Sequence, residues 1–136
     1  LGSAIGQAKR LGVQWESRNK APQQEENTMA QAPTSESRDR VRDTVPKLIE
    51  VTEKVLFGDI WERPELSKRD RSLIVCAVLT ATYRPEQLRG HLQRALDNGL
   101  TKTEISEMIT HVAFYAGWPA AMSAANIARE IFEANP

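Results

Sequence analysis

Residues 83–99, YRPEQLRGHLQRALDNG, carry the pattern that decides the fold. Pro85 stands where a helix can begin without losing a backbone donor, and Gly99 stands just past the point where that helix would end. Between them Leu88, Leu92, Ala95 and Leu96 recur at a 3.6-residue period, which makes one side of the helix apolar. His91 falls on the same side, flanked by Arg89 and Arg94. A titratable ring on a stripe built for burial is either a core histidine with its hydrogen bonds satisfied or part of a site.

The same helical punctuation extends on both sides of this stretch. Residues 45–61, VPKLIEVTEKVLFGDIW, place Leu48, Ile49, Val51, Val55 and Leu56 on an apolar side and stop at Gly58. Residues 66–83, LSKRDRSLIVCAVLTATY, open with Ser67 as N-cap and Asp70 three positions on, then run apolar nearly all round, which predicts a helix buried on most faces. Residues 101–117, TKTEISEMITHVAFYAG, begin with the capping-box pair Thr101 and Glu104, carry Ile105, Met108, Ile109 and Val112, and end at Gly117. Residues 119–132, PAAMSAANIAREIF, restart at Pro119 and present Ala121, Ala124, Ala125, Ala128 and Ile131. Small residues at this spacing let a neighbouring helix approach closely, within the subunit or across a dimer. There is no hairpin signal, so the expected fold class is an all-α bundle over residues 41–136.

Residues 1–40 read differently. They are polar, with APQQEENTMAQAPTSES rich in Gln, Glu, Ser and Pro and without a sustained apolar period, the composition of an N-terminal arm or extension. Such an arm is expected to lie on a neighbouring subunit, and Met29 within it is a candidate start of the natural chain. It matches neither the charged-then-apolar pattern of a signal peptide nor an Arg-rich amphipathic transit sequence.

Composition narrows the classes of function. The 136 residues carry 18 Lys plus Arg against 18 Asp plus Glu, so the basic excess that phosphate backbones require is missing and nucleic acid is not an expected partner. The longest apolar run, Leu73 to Ala81, is about half of the ~20 residues that cross a bilayer, so no membrane partner is expected either. The one cysteine, Cys76, has no second thiol to pair with and fits a reducing cytoplasm. Inside an apolar run it reads as a small core residue.

The chemistry-bearing residues gather around helix ends. Arg84 and Glu86 stand at the entrance of the helix that carries His91, Arg71 begins the preceding one, and Trp61, Glu62 and Arg63 follow Gly58. A histidine with several arginines and a glutamate suits a small anionic substrate, because arginine forks a carboxylate and imidazole moves a proton. A second set, Glu104, Glu107 and His111, shares one helix side at metal-ligand spacing but lacks ligands from elsewhere, and reads as a solvated or interface face rather than a metal site. Neither a Gly-rich phosphate loop, nor H-E-x-x-H, nor a serine nucleophile elbow is present, so nucleotide and protease readings drop out.

From Phe57 to Ala121 the chain resembles the carboxymuconolactone decarboxylase family of the alkylhydroperoxidase D-like superfamily. The resemblance is carried by Gly58-Asp59-Ile60-Trp61, Arg63-Pro64, Arg71-Ser72-Leu73-Ile74, Glu86 to His91, Asn98-Gly99, Glu104 to Glu107 and Tyr115-Ala116-Gly117 with Pro119, in that order. It spans about residues 45–134 and implies an alkylhydroperoxidase D-like helical bundle assembled as a homo-oligomer, commonly a hexamer built as a trimer of dimers. In the peroxidase branch a C-x-x-C pair precedes the shared histidine. Counting back from His91 puts those positions at Arg84 and Gln87, so the redox pair is missing and Cys76 alone cannot supply both thiols.

The decarboxylase branch implies a reaction that needs no cofactor, on a small carboxylated lactone or keto acid. Loss of CO₂ next to a conjugated alkene leaves a dienolate that must be stabilised and protonated. On this reading His91 delivers the proton, with Arg71 and Glu86 as its catalytic partners. Arg84 binds the carboxylate, and Trp61, Tyr115 and Trp118 line the substrate site. The alternatives are an alkylhydroperoxidase-like thiol oxidoreductase without its C-x-x-C pair, which would need a cysteine from a partner chain, and a non-catalytic oligomeric module.

Overall fold

The computed structural model describes residues 35–136. Most of the expected polar arm, residues 1–34, lies outside the described residues, and the helical part begins at α1 (Ser35–Val41), before the boundary read at residue 41. Five more helices follow: α2 (Pro46–Val51), α3 (Lys68–Ala81), α4 (Pro85–Asp97), α5 (Lys102–Ala116) and α6 (Trp118–Ala134). The described residues contain no strand, so the fold class is all-α as expected. The four long helices form the bundle: α3 packs against α4 and α5, and α6 against α5, α4 and α3.

Helix boundaries are set by local chemistry. The Ser67 hydroxyl accepts from the Asp70 backbone N–H at 3.0 Å. At the start of α5 the Thr101 hydroxyl accepts from the Glu104 N–H at 3.1 Å, while the Glu104 carboxylate accepts from the Thr101 N–H at 2.9 Å. Each bond satisfies a donor that helix geometry leaves without a partner. The far end of α4 closes in a Schellman turn, with the Gly99 N–H on the Leu96 carbonyl (3.0 Å) and the Leu100 N–H on the Ala95 carbonyl (2.9 Å). Gly99 takes φ +97° there, a conformation that a Cβ makes costly. The Asn98 amide donates to the buried Ser72 hydroxyl at 2.9 Å and ties this turn to α3.

The core is built from Cys76, Leu88, Leu92, Ile105 and Ala124, all essentially without solvent contact. Full burial of each Leu or Ile contributes about 1.5–3 kcal/mol. Ala121, Ala124 and Ala128 are buried within the same core, so the alanine face of α6 serves close packing inside the subunit. The expectation that α3 is buried on most faces is not met. Ser72, Cys76 and Thr80 make its buried stripe, while Ile74 and Val78 are each 51% exposed. On α2 and the turn after it only Ile49 is buried, and Leu48, Val51, Val55 and Leu56 stay exposed. The helices of the chain cover one another's inner faces and leave these outer apolar faces open.

The connection from α2 to α3 shapes the site. α2 widens after Val51 into a π-helical turn, Thr52–Phe57, which Gly58 closes. A Cβ on Gly58 would lie 2.6 Å from the Lys54 carbonyl oxygen and 2.9 Å from that of Glu53, so the close approach requires glycine. A 3₁₀ turn, Ile60–Glu62, follows and buries Trp61, whose ring centre lies 6.1 Å from that of Phe57. No helix among the described residues is long and apolar enough to cross a membrane.

Candidate active site

The 3.6-residue period that buries Leu88, Leu92 and Ala95 leaves His91 and Arg94 half-buried at the edge of the stripe. Three positions apart, they are neighbours on the helix surface. His91 Nδ1 and Arg94 Nη1 are both buried without a hydrogen-bond partner. Burial, and then the charge of Arg94, hold the His91 imidazole down at about 4, so it is neutral near pH 7 in the free protein. Burial also lowers the Arg94 guanidinium, with Arg38 pushing the same way and Asp97 opposing.

Aromatic rings wall this corner. The Arg94 guanidinium lies 4.9 Å from the centre of the Phe57 ring and 5.7 Å from that of Trp61. Cation–π contact fixes a guanidinium in place without neutralising it, which leaves its N–H groups for an anion. Other arginines of the described residues do find carboxylates, among them Arg42 with Glu53, Arg69 with Glu104, Arg89 with Glu130 and Arg129 with Glu133. A partly desolvated imidazole beside an unpaired guanidinium and two rings can hold a small carboxylate and exchange a proton with it.

Of the residues expected at the site, the structure joins Trp61 and His91 through Arg94. Arg71 is engaged in the chain entering α3, its Nε donating to the Leu66 carbonyl and its Nη2 to that of Arg63, both at 3.1 Å. Arg84 and Glu86 are exposed at the entrance of α4. Tyr115 is 81% exposed with its ring 5.0 Å from that of His111, and Trp118 is exposed and set edge-on to Phe114. Sequence reasoning gave Arg94 no role beyond flanking His91, although the spacing of three on one helix was the available signal. Phe57 and Arg38 had no comparable signal.

The second set, Glu104, Glu107 and His111, rims a groove of about 580 Å³ whose lining includes Leu73, Ile74, Ala77, Met108 and Val112. Glu104 is committed there: its hydrogen bonds to Thr101 and its pairing with Arg69 hold the carboxyl below the usual range. Among the described residues no three His, Cys, Asp or Glu side chains converge as a metal site. Cys76 is fully buried, and burial pushes its thiol up to about 12.

The sequence model of the carboxymuconolactone decarboxylase family matches residues 46–130. Over 77 residues the chain is 44% identical to a 4-carboxymuconolactone decarboxylase of Acinetobacter baylyi, covering 57% of this chain and 58% of that one. It is 34% identical over 68 residues to a nitrosuccinic acid decarboxylase of Metarhizium robertsii, covering 50% and 48%. It is also 32% identical over 78 residues to an uncharacterised 15.0 kDa protein of Paracoccus denitrificans, covering 56% and 58%. The chain thus spans roughly half to three fifths of the length of these curated relatives.

Proposed function

The chain belongs to the carboxymuconolactone decarboxylase family, and from that premise we propose that it is a cofactor-independent decarboxylase of a small carboxylated lactone or keto acid, with His91 as its proton donor. The observation that carries the reading is the pair of buried, unpartnered nitrogens of His91 and Arg94 beside Phe57 and Trp61. Two of the relatives bear decarboxylase names, one of them for 4-carboxymuconolactone.

On this reading Arg94 takes the anion-holding role expected of Arg84, which is exposed at the entrance of α4, while the hydrogen bonds of Arg71 go to backbone carbonyls. Arg94 holds the substrate anion beside the imidazole, that anion supplies the counter-charge with which the buried ring takes up a proton from water, and CO₂ departs as the electron pair of its bond delocalises into a dienolate. The imidazolium of His91 protonates the resulting carbon and is refilled from water. Glu86, Tyr115 and Trp118 are exposed on the isolated subunit, so any part they take requires a neighbouring copy in a homo-oligomer, for which we favour the hexamer. The thiol alternative has little support, since Cys76 is fully buried.

The test is decarboxylation of 4-carboxymuconolactone by the parent and by His91→Gln, whose amide keeps hydrogen bonding but does not titrate. Turnover is expected to fall by about 10²- to 10⁴-fold in a variant that stays folded. A folded variant with unimpaired turnover removes His91 from the mechanism, and an inactive parent removes this substrate.

A further inference from the structure

We propose that Arg38, on α1, is a specificity-determining residue of the site around His91, and that it clamps with Arg94 an anionic oxygen group of the substrate that survives the reaction. The inference rests on the decarboxylase reading of that site. Its geometric basis is the Phe57 ring: the Arg38 guanidinium carbon and that of Arg94 each lie 4.9 Å from its centre. The two cations are therefore within about twice that distance of one another, close enough for Arg38 to disfavour the charged form of Arg94. Each also buries a nitrogen without a partner, Nε in Arg38 and Nη1 in Arg94.

Two like charges held against one ring, each with a donor unused, make a site that an anion completes. The Glu53 carboxylate feels the Arg38 charge, yet both its oxygens already accept from Arg42 at 2.6 and 3.1 Å. That same bond pair fixes the placement. Arg42 follows Arg38 by about one helical turn and anchors the end of α1 to the π-helical turn that ends in Phe57. Arg38 lies outside residues 46–130, the part of the chain that matches the family model.

A group that is present before and after the reaction is bound equally in substrate and transition state, so its loss raises KM and spares kcat. In the full chain Arg38→Gln is expected to raise KM about 10- to 100-fold with kcat within about threefold, and Arg38→Lys to recover part of the loss, since a point charge replaces a fork. A fall confined to kcat overturns the proposal. A second readout is independent of turnover: calorimetric titration with succinate, an inert dicarboxylate, should show binding to the parent that weakens at least tenfold in Arg38→Gln at unchanged melting temperature. Equal affinity in the two proteins, or no binding to either, overturns the clamp. Binding that depends on Arg38 in a parent without decarboxylase activity supports the clamp and overturns only the reaction.

Discussion

Tyr83 and Gly99 occupy the same position in two copies of one helix-ending motif. After α3 the Tyr83 N–H donates to the Thr80 carbonyl (3.2 Å) and the Arg84 N–H to that of Leu79 (2.9 Å), the pattern that Gly99 and Leu100 form after α4. Tyr83 takes φ +53°, where its Cβ is crowded against backbone, while Gly99 carries no such cost. Its side chain is mostly exposed and offers little packing in return. Tyr83→Gly should therefore stabilise the fold by about 0.5 kcal/mol, after the greater freedom of glycine in the unfolded chain is allowed for. That corresponds to a rise of roughly 2 °C in Tm, measured by thermal melting.

The His91 imidazole should make stability depend on pH. Its native value is about 4, below the ordinary ~6.5, so between those two values the unfolded chain binds the proton and the native chain does not. Stability consequently falls as pH drops from about 6.5 to about 4 and is flat in this respect outside that window. Allowing for solvent screening of a half-buried ring, the loss is on the order of 1–2 kcal/mol. Melting curves across this range should show a shallower slope for His91→Gln than for the parent.

Arg94→Gln should raise the pKa of His91 without restoring the ordinary value, because burial is the larger cause of its depression and Arg94 the smaller. NMR titration of the imidazole ring protons measures this. An unchanged pKa would mean that the guanidinium is too well screened to govern the proton.

Cys76 should be chemically silent in the native protein. With its thiol pushed up to about 12 in a closed core, an aromatic disulfide reagent at pH 8 should react only after denaturation. Cys76→Ala should cost about 1–2 kcal/mol of stability through the void it leaves, with turnover per folded molecule preserved.

Leu48, Ile74, Val78, Phe114 and Met122 are large apolar side chains each more than half exposed, and burying them against further copies of the chain would remove that surface from water. Light scattering at micromolar concentration should therefore return a mass above that of a dimer. Charged substitutions at Ile74 and Val78 together should lower it.

The features legible in the sequence were those that rest on near neighbours. Ser67, Thr101 with Glu104, Pro85 and Gly99 mark helix ends because the groups they satisfy lie within a few residues. Periodicity gave α2 an apolar side and composition made α3 apolar nearly all round, but neither says whether the same chain covers that surface, and Leu48 and Ile74 stay open. At the site, His91 stood out as a titratable ring on an apolar stripe. Arg71 looked available because its acceptors are the carbonyls of Arg63 and Leu66, which no side-chain pattern records. Arg38 sits in a polar stretch without a period, and only the fold brings it to Phe57.

The π-helical turn makes the site depend on a count of residues as well as on their identity. A π turn holds one residue more than an α turn between bonded groups. Deleting one residue within Thr52–Phe57 would let the segment close as ordinary α-helix, in which five residues at about 100° each turn the chain about as far as the six of the wider turn, so the chain beyond keeps its phase. An inserted residue has no such reserve: it would swing Phe57 off Arg38 and Arg94 while every side chain of the corner remained in the chain. The aromatic wall is thus a matter of phase, tolerant of one lost codon in the wide turn and broken by one gained, which no substitution within the corner itself would repair.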